Sequence, residues 1–532
     1  MSVRATDTKA RSDEPDETPY EVGQDNIEVF GLDIHNPVFI VSALLVVVFV
    51  ALTLVFQSEA KALFTVLRPW LTSQFDWLFM LTGNVAVVLC GLLAVSPWGR
   101  IRLGGEDAAP DYTYLGWFAM LFAAGMGIGL MFFGVLEPLY HLMEPPLGID
   151  AADVETARRA AMAATIFHWG LHPWAIYAVV GLSLGLFAYN NNLPLSIRSA
   201  FYPLLGRRVH GWPGHAIDTL AVLATLFGLA TSLGFGASQA AAGLHDLVGM
   251  PITTGTKIAL IAAITSVAVA SVVAGLDAGI KRLSQLNMVL VALLLVYVVA
   301  AGPTWSILAG IPEAAYDYLR YLPSLSSWSD RPDAAFLHGW TTFYWAWWIS
   351  WSPFVGMFIA RVSRGRTVRE FIIAACFVPL AVSIVWMTAL GGTAIHQFLT
   401  DGYQGVAETM RADTPELSLY RMLAPLPYGG IASFVGVVLV ILFFVTSSDS
   451  GSLVVDTITA GGKLEAPVAQ RVFWAIFEGL VAVALLVGGG LQALRAAAVS
   501  TGLPFTLVVL VMCASLVVGL RSAFREKARR RR

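Results

Sequence analysis

Charged residues are scarce in this sequence: they make up 13% of its 532 positions, whereas hydrophobic residues make up 57%. A soluble domain carries roughly 25% charged residues, because its surface has to be hydrated. The chain therefore has too few charges to cover a globule in water, and lipid must be the solvent for much of its surface. The net charge of −3 says nothing about nucleic acid, but the sequence offers no broad basic face to hold phosphates, so we expect no nucleic-acid partner.

Cysteine is rarer still, and the three cysteines all lie in long apolar stretches: Cys90, Cys376 and Cys513. Because they are far apart in sequence, their spacing indicates neither a metal site nor a disulfide framework. We also expect no cleavable signal peptide, since the first 33 residues are polar and acidic.

Apolar runs of about 20 residues or more, long enough to span a bilayer as a helix, dominate the rest of the chain. They predict an all-α polytopic membrane protein with about twelve transmembrane helices. The predicted spans are 37–57, 77–97, 113–142, 159–189, 216–244, 256–275, 284–302, 339–361, 369–397, 430–458, 469–489 and 500–520. Two connectors, 58–76 and 304–322, mix aromatic and charged residues in short amphipathic patterns, which predicts interfacial helices rather than spans.

The distribution of positive charge predicts the orientation. If the chain starts in the cytoplasm, 23 of its 33 Lys and Arg lie on the cytoplasmic side, including four arginines between Arg361 and Arg369. This asymmetry places both termini in the cytoplasm. The first 33 residues carry nine acids against three bases, and the chain ends in Arg529–Arg532. The basic end is either a topological anchor near anionic lipid or an electrostatic sensor of salt or lipid.

The third span contains three glycines in five residues, Gly125–Gly129. Glycine is costly inside a helix, so this run predicts a loosened or unwound segment. Backbone groups freed at such a break can hold a small cation or a carboxylate. The alternative is a small-residue face for close helix packing.

The eighth span carries a stripe of aromatic residues at three- and four-residue steps: Trp340, Tyr344, Trp347, Trp348 and Trp351. The fourth span adds Trp169 and Trp174. These tryptophans lie deeper than an interfacial belt would. Several rings around a cavity can bind a quaternary ammonium group, worth about 2 kcal/mol or more when desolvated. The alternative is core packing of large rings.

Two further polar features lie at membrane depth. His168 and His172 are four residues apart, as metal ligands can be, but no third ligand is evident near them, so we interpret them as hydrogen-bonded structural histidines. In the tenth span, Thr446–Asp449 offers hard oxygen ligands that suit sodium. Asp449 is either functional, as intramembrane acids generally are, or a cap for a helix break.

At these positions the sequence resembles the betaine/carnitine/choline transporter family. The matching motifs are Gly125–Gly129 with Glu137-Pro138 behind it, Trp169–Tyr177, Trp345–Phe354, Arg361–Arg366 and Thr446–Asp449. The resemblance covers essentially everything between the two tails, and the tryptophan motif is its most specific part.

The resemblance implies a leucine-transporter-like fold with two inverted repeats of five helices, here spans three to seven and eight to twelve. The chain would then divide into an acidic cytoplasmic tail, two peripheral transmembrane helices, a first repeat, an amphipathic connecting helix and loop, a second repeat and a short basic cytoplasmic tail. In that order the boundaries are 1–36, 37–97, 98–302, 303–338, 339–520 and 521–532. The family also implies a homotrimer with the helix at 304–322 at the subunit contacts.

Matching the motifs residue by residue, the resemblance implies a substrate site and a sodium site. The aromatic box and its cytoplasmic approach would consist of Trp169, Trp174, Tyr177, Trp347, Trp348 and Trp351. The glycine segment of the same site comprises Gly125, Met126, Gly127 and Gly129. A first sodium ion would lie between spans three and ten, bound by backbone at Ala123, Met126 and Phe443 and by the hydroxyls of Thr446 and Ser447.

A second sodium site is implied only in part. Thr225 and Phe354 match it, but the position of its second hydroxyl is Leu229, and Thr231 and Ser232 stand beside rather than at that position. The number of sodium ions therefore stays open.

The identity of residue 129 bears on the substrate. Proton-coupled choline members of the family tend to carry aspartate at the position of Gly129, whereas glycine leaves room for a zwitterion with its own carboxylate. Glycine betaine is therefore the favoured substrate.

These observations predict a secondary active transporter, not an enzyme, that imports glycine betaine or a related quaternary-ammonium osmolyte with sodium by alternating access across a bacterial inner membrane. The alternatives are proton-coupled or exchange transport of choline, carnitine, ectoine or a sulfonium analogue. From a different class, an osmolyte sensor that does not transport would carry the same binding site. An intramembrane enzyme would need a nucleophile–base pair or metal cluster, for which the sequence offers only the two histidines.

Overall fold

The computed structural model describes residues 20–125, 127–274 and 277–530. It is almost entirely helical, apart from one β-hairpin near the start of the described chain. The strands are β1 Asn26–Val29 and β2 Leu32–His35, and the helices are α1 Asn36–Val55, α2 Gln57–Val95, α3 Tyr114–Gly125, α4 Ile128–Met143, α5 Val154–Trp169, α6 Leu171–Asn191, α7 Tyr202–Leu205, α8 Trp212–Val248, α9 Thr254–Val273, α10 Asp277–Ala301, α11 Thr304–Leu325, α12 Ala334–Phe336, α13 Thr342–Val362, α14 Val368–Leu399, α15 Gly405–Arg411, α16 Ser418–Leu423, α17 Gly429–Thr459 and α18 Val468–Arg530.

The number of spans agrees with the prediction of about twelve. Within the described ranges, nine helices are long and apolar enough to cross a membrane, and the bent pair α3–α4 makes ten. The 21-residue helix α13 is long enough to span but rich in tryptophan, which lowers its hydropathy. The 63-residue helix α18 is interrupted at Gly489 and Gly490 and supplies two spans, one on each side of the interruption.

Within the described ranges, glycine interrupts spans three and four and the junction between the last two spans. The two halves of span three, Tyr114–Ala123 and Ile128–Gly148, meet at 66°, so the interruption predicted from the glycine run is present. Gly170 separates α5 from α6. In α18, Gly489 and Gly490 have φ angles of 159° and 63°, and the left-handed value at Gly490 favours glycine because other residues carry a Cβ atom.

Residues 58–76 do not form the separate interfacial helix expected from their sequence. They are the first half of α2, a continuous 39-residue helix that contains Pro69. Their charge serves contacts between helices instead: Arg68 donates to Gln492 Oε1 at 2.7 Å and to the Gly339 carbonyl at 3.0 Å. The other predicted connector, 304–322, lies within α11.

The two five-span units share an order of elements. In the first, short helices from Ile197 to His210 stand between the second and third spans, α6 and α8. In the second, α15 and α16 stand at the same step, between α14 and α17. Because five spans separate the two groups, they lie on opposite sides of the membrane. This arrangement agrees with the predicted inverted repeat of five plus five helices.

The hairpin was not predicted, and polar contacts fasten it to the cytoplasmic-facing loops of the predicted topology. Asn26 Nδ2 donates to the Ala460 carbonyl at 2.9 Å, and Lys463 pairs with Asp33. Burial and the Arg198 guanidinium lower the pKa of His35 to about 3. The neutral ring can therefore accept the hydrogen bond that Arg198 Nη1 donates to His35 Nε2 at 3.0 Å.

The spans differ in how deeply they are buried, which identifies the centre of the bundle. The most apolar windows of α5–α6 and α8 are 89% buried within the protein, whereas that of α9 is 33% buried and that of α10 is 22% buried. The central helices therefore enclose the site, and the outer ones present their apolar faces to lipid.

Candidate functional site

The predicted aromatic residues meet in the centre of the bundle, on α13, α5 and α6. Trp347 and Trp348 stack with centroids 4.9 Å apart, and the Trp169 ring meets Trp348 edge-on at 4.8 Å. Tyr177 lies 6.3 Å from Trp348 and 5.3 Å from Trp174. All five rings are buried, so they are not an interfacial belt.

These rings surround a cavity that also touches the broken third span and the tenth span. Its lining comprises Gly127, Ile128, Gly129, Leu130, Trp169, Pro173, Trp174, Tyr177, Ser232, Trp347, Trp348, Trp351, Val355, Ser383 and Ser447. The structure therefore brings all six predicted box residues together with Gly127, Gly129 and Ser447. Gly125 is the last residue of α3, and the predicted ligand Met126 lies outside the described residues.

The break at Gly170 explains how the indole groups are held. A helix end leaves carbonyl groups without partners in the helix. Trp348 Nε1 donates to the His168 carbonyl at 2.8 Å, and Ser383 Oγ donates to the Trp169 carbonyl at 2.9 Å. The end of α5 thus fixes one ring of the box and one hydroxyl of its lining.

The aromatic rings that face Gly129 leave no space for a side chain at this position. A Cβ atom at this position would lie 2.6 Å from Trp169 Cη2 and 3.1 Å from Trp347 Cη2. Any larger residue would therefore displace two walls of the box. The nearby Gly228 carbonyl accepts from Trp347 Nε1 at 3.4 Å.

Behind the box lies a buried carboxylate, Glu137 on α4. Glu137 Oε2 accepts from Trp169 Nε1 at 2.9 Å and from the Tyr344 hydroxyl at 2.6 Å. Glu137 Oε1 contacts His168 Nδ1, and it lies 3.3 Å from His141 Nε2. In the sequence Glu137 was recognised only as part of the Glu137-Pro138 family motif. An acidic residue inside a membrane span is itself a sign of function, so its position could have identified it as a candidate.

The two histidines of span four have separate hydrogen-bond partners, as the structural interpretation predicted. His168 Nε2 lies 2.9 Å from Thr341 Oγ1, and His172 Nε2 lies 2.9 Å from Asn84 Oδ1. The statement that no third ligand lies near them was wrong for His168, because the fold brings Glu137 and His141 to it from α4. These three residues place their potential ligand atoms within 4.8 Å of one another.

Of the described residues predicted to bind the first sodium ion, Ala123 lies on α3, and Phe443, Thr446 and Ser447 lie on α17. Thr446 Oγ1 donates to the Leu442 carbonyl at 2.9 Å, and its oxygen keeps lone pairs for a cation. Phe443 is buried, Ala123 is half-buried on α3, and Ser447 lines the cavity. In contrast to span three, α17 is continuous through this segment.

The residues matched to a second sodium site lie on α8 and α13. Thr225 is buried and donates to the Ala221 carbonyl at 2.7 Å, while Phe354 is half-buried on α13. Leu229 is buried where a hydroxyl would be expected. Of the two neighbouring hydroxyls, Thr231 contacts the Leu494 carbonyl at 3.0 Å, and Ser232 lines the substrate cavity.

Asp449 does not cap a helix break, since α17 continues to Thr459. Its Oδ1 atom lies 3.3 Å from Arg471 Nη2 at the start of α18, a partner that the sequence did not indicate. The sequence did not single out a second buried acid, Glu478 on α18. Its side chain is fully buried and accepts a hydrogen bond from Ser448 Oγ at 2.9 Å.

The chain is similar to known transporters over nearly its whole length. The chain is 55% identical to a glycine betaine/proline/choline transporter of Vibrio parahaemolyticus, over 95% of this chain and 94% of the relative. It is 54% identical to glycine betaine transporter 1 of the same organism, over 95% and 98%. An osmo-dependent choline transporter of Acinetobacter baylyi is 39% identical, over 92% and 71%.

The family comparison covers both five-span units and the peripheral spans. Residues 37–525 match the betaine/carnitine/choline family of transporters, a range that includes every residue of the cavity lining. Together with the polytopic helical fold, the match shows that this chain is a membrane protein that belongs to the betaine/carnitine/choline transporter family.

Proposed function

We propose that the chain imports glycine betaine by sodium symport with alternating access. The observation that carries this proposal is the box itself: Trp169, Trp347 and Trp348 meet at one buried cavity. A methylated cation held against several aromatic faces gains about 2 kcal/mol or more once it is desolvated. The cavity offers no such gain to an uncharged solute.

The polar side of the cavity suits the carboxylate of a zwitterion. Gly127, Ile128 and Gly129 line it where α4 begins, and a helix N-terminus has free N–H groups and a positive dipole end. Ser383 and Ser447 add hydroxyls to the lining. No acid stands at Gly129 to repel a carboxylate. Choline, carnitine, ectoine and sulfonium analogues are the competing substrates.

Sodium is the proposed coupling ion because Ser447, one of the first-site residues, lines the same cavity, and Phe443 and Thr446 lie on the same helix as Ser447. Thr446 and Ser447 would supply hydroxyl oxygens, and Ala123 and Phe443 would supply backbone oxygens. A cation bound between α3 and α17 would stabilise one conformation of the broken span. Sodium then raises substrate affinity only to the extent that it binds that conformation better than the other. Leu229 favours one sodium ion over two.

The proposed setting is a bacterial inner membrane with both termini cytoplasmic, as the distribution of Lys and Arg suggests. A homotrimer built through α11 is supported by one uncovered apolar face of that helix. The exposed residues of this face are Trp305, Leu308, Tyr316 and Leu319.

Uptake of labelled glycine betaine into proteoliposomes tests the function. We expect accumulation with an inward sodium gradient and none with an equal potassium gradient. Trp348→Ala should weaken substrate affinity about 30-fold, the equivalent of about 2 kcal/mol. Trp77→Ala, a partly exposed tryptophan on α2, is the matched control and should leave uptake unchanged.

Three results would contradict the proposal. Accumulation that does not depend on sodium would favour proton coupling or exchange. Binding without any accumulation would indicate an osmolyte sensor, and equilibration without accumulation would indicate a channel.

A further inference from the structure

Glu137 is completely buried, and hydrogen-bond donors surround its carboxyl group. Trp169 and Tyr344 donate to Oε2, and His168 Nδ1 and His141 Nε2 contact Oε1, where each ring donates in the tautomer that carries its hydrogen on that nitrogen. A carboxylate has about four lone-pair sites, so this arrangement uses all of them.

The pattern of donors identifies the charge state of the group. A protonated carboxyl would have to donate its own hydrogen to a histidine nitrogen at Oε1, because Trp169 and Tyr344 both donate to Oε2. Hydrogen bonds donated to the charged form favour that form. His168 need not carry a compensating charge, because a neutral ring with its hydrogen on Nδ1 satisfies both Glu137 and Thr341 Oγ1. With both histidines neutral and donating to Oε1, the network holds one net negative charge.

A metal ion bound by Glu137, His141 and His168 is the rival explanation of this cluster. It would have to enter at Oε1, where His168 Nδ1 and His141 Nε2 are already in direct contact with the carboxyl group, and it would replace both contacts. Trp169 and Tyr344 donate to Oε2 in either case. The observed contacts favour the anion.

The anion is one ring away from the substrate cavity. Trp169 forms a wall of the cavity with its ring and donates to Glu137 with its Nε1 atom. Tyr344 also donates to Glu137, and its ring stacks on Trp348 with centroids 5.9 Å apart. A cation in the box would thus be separated from a fixed negative charge by the width of one indole ring, in surroundings that screen it weakly.

Two arginines approach the same group of rings. Arg331 is already paired with Asp333 at 2.7 Å. Arg495 places its guanidinium 5.5 Å from the centroid of Phe343, on a ring that does not line the cavity. Neither of them contacts Glu137 in the described structure.

We propose that Glu137 is a specificity-determining residue, the fixed counter-charge that makes the aromatic box prefer a permanently cationic headgroup over a neutral group of the same shape. This inference rests on the proposed function, because it concerns how the same cavity selects its substrate. Glu137 acts through Trp169 and Tyr344 and does not line the cavity itself.

The test compares two ligands that differ only in this charge. Glycine betaine and tert-butylacetate have the same shape and the same carboxylate, but the second has carbon in place of the quaternary nitrogen. Equilibrium binding of both is measured by tryptophan fluorescence on the purified full-length protein, in sodium. The variant is Glu137→Gln, and the matched control is Glu478→Gln, the same substitution at another fully buried glutamate.

We expect the wild-type protein to prefer glycine betaine by tenfold or more. Glu137→Gln should weaken glycine betaine about tenfold and change tert-butylacetate by less than twofold, so the preference collapses. Glu478→Gln should keep the wild-type ratio. Glu137→Asp, which retains the charge, should also keep the ratio within threefold even if both ligands bind more weakly.

The inference is overturned if Glu137→Gln weakens both ligands equally, which would indicate packing alone, or changes neither. If Glu137→Gln does not fold, a collapsed ratio in folded Glu137→Asp would overturn it just as clearly. A wild-type protein that binds no glycine betaine would instead contradict the proposed function, so the two failures can be told apart.

Discussion

Among the described residues two glutamates are completely buried, and their surroundings differ sharply. Glu137 on α4 has four donors around its two oxygens. Glu478 on α18 has one, the Ser448 hydroxyl, and its Oε1 atom has no partner among the described residues. Asp449, next to Ser448, is ion-paired with Arg471, so this arginine is already engaged by another acid.

The contrast shows that burial alone does not decide what a carboxyl group does. A charge is expensive inside a protein unless hydrogen bonds or an opposite charge compensate for the lost water. Glu137 has that compensation and can serve as a permanent anion beside the substrate. Glu478 lacks it, and we expect its neutral, protonated form in the bundle. Substitutions that remove donors or charge should therefore affect the two sites very differently.

Removing one donor to Glu137 is expected to give the larger effect. Tyr344→Phe keeps the ring but deletes the hydroxyl 2.6 Å from Glu137 Oε2. The carboxylate then loses a charge-assisted hydrogen bond, and the free energy of unfolding should fall by about 2 kcal/mol. Denaturant unfolding of the purified protein in detergent measures this.

The matched control for that change is Tyr140→Phe on the same helix as Glu137. Its hydroxyl donates to Glu144 at 2.8 Å in a solvent-exposed contact. We expect a loss below about 0.5 kcal/mol, as for most surface substitutions. If the two variants were equally stable, the Glu137 network would not be the tightly held anion described above.

Neutralising Glu478 is expected to give the smaller effect. Glutamine resembles the protonated acid in shape and can still accept from Ser448, so Glu478→Gln should change the free energy of unfolding by about 0.5 kcal/mol or less. At Glu137 the same substitution places an amide NH₂ against two donors and should cost about 1–3 kcal/mol. A loss at Glu478 as large as that at Glu137 would show that both groups are ionised.

The aromatic box could be predicted from the sequence because its information is local. Trp347, Trp348 and Trp351 share a helix face through three- and four-residue steps, and the glycine run of span three marks its own break. The transmembrane spans were likewise predicted from long apolar segments. These signals need only neighbouring residues, and the structure agrees with them.

The Glu137 network could not be predicted in the same way. Its donors lie 4, 31, 32 and 207 positions from Glu137 in the chain, on three different helices. Only the folded arrangement shows that the box ring Trp169 and the neighbouring Tyr344 share one acceptor. The partner of Asp449 was missed for the same reason, since Arg471 belongs to the following span.

Two elements outside the site were missed because their sequence patterns were short or ambiguous. The strands of the hairpin have four residues each, too few for a clear alternation. The charged first half of α2 was taken for an interfacial helix, whereas Arg68 serves a contact with Gln492. Charge that pairs with another helix and charge that meets the membrane surface look alike in a single sequence.

The most direct test of the account is an experimental structure of the protein with glycine betaine and sodium bound. We predict the trimethylammonium group within about 6 Å of the ring centroids of Trp169, Trp347 and Trp348. We also predict the substrate carboxylate at the start of α4. A trimethylammonium group outside these rings, with the box empty or filled by side chains, would contradict the central claim.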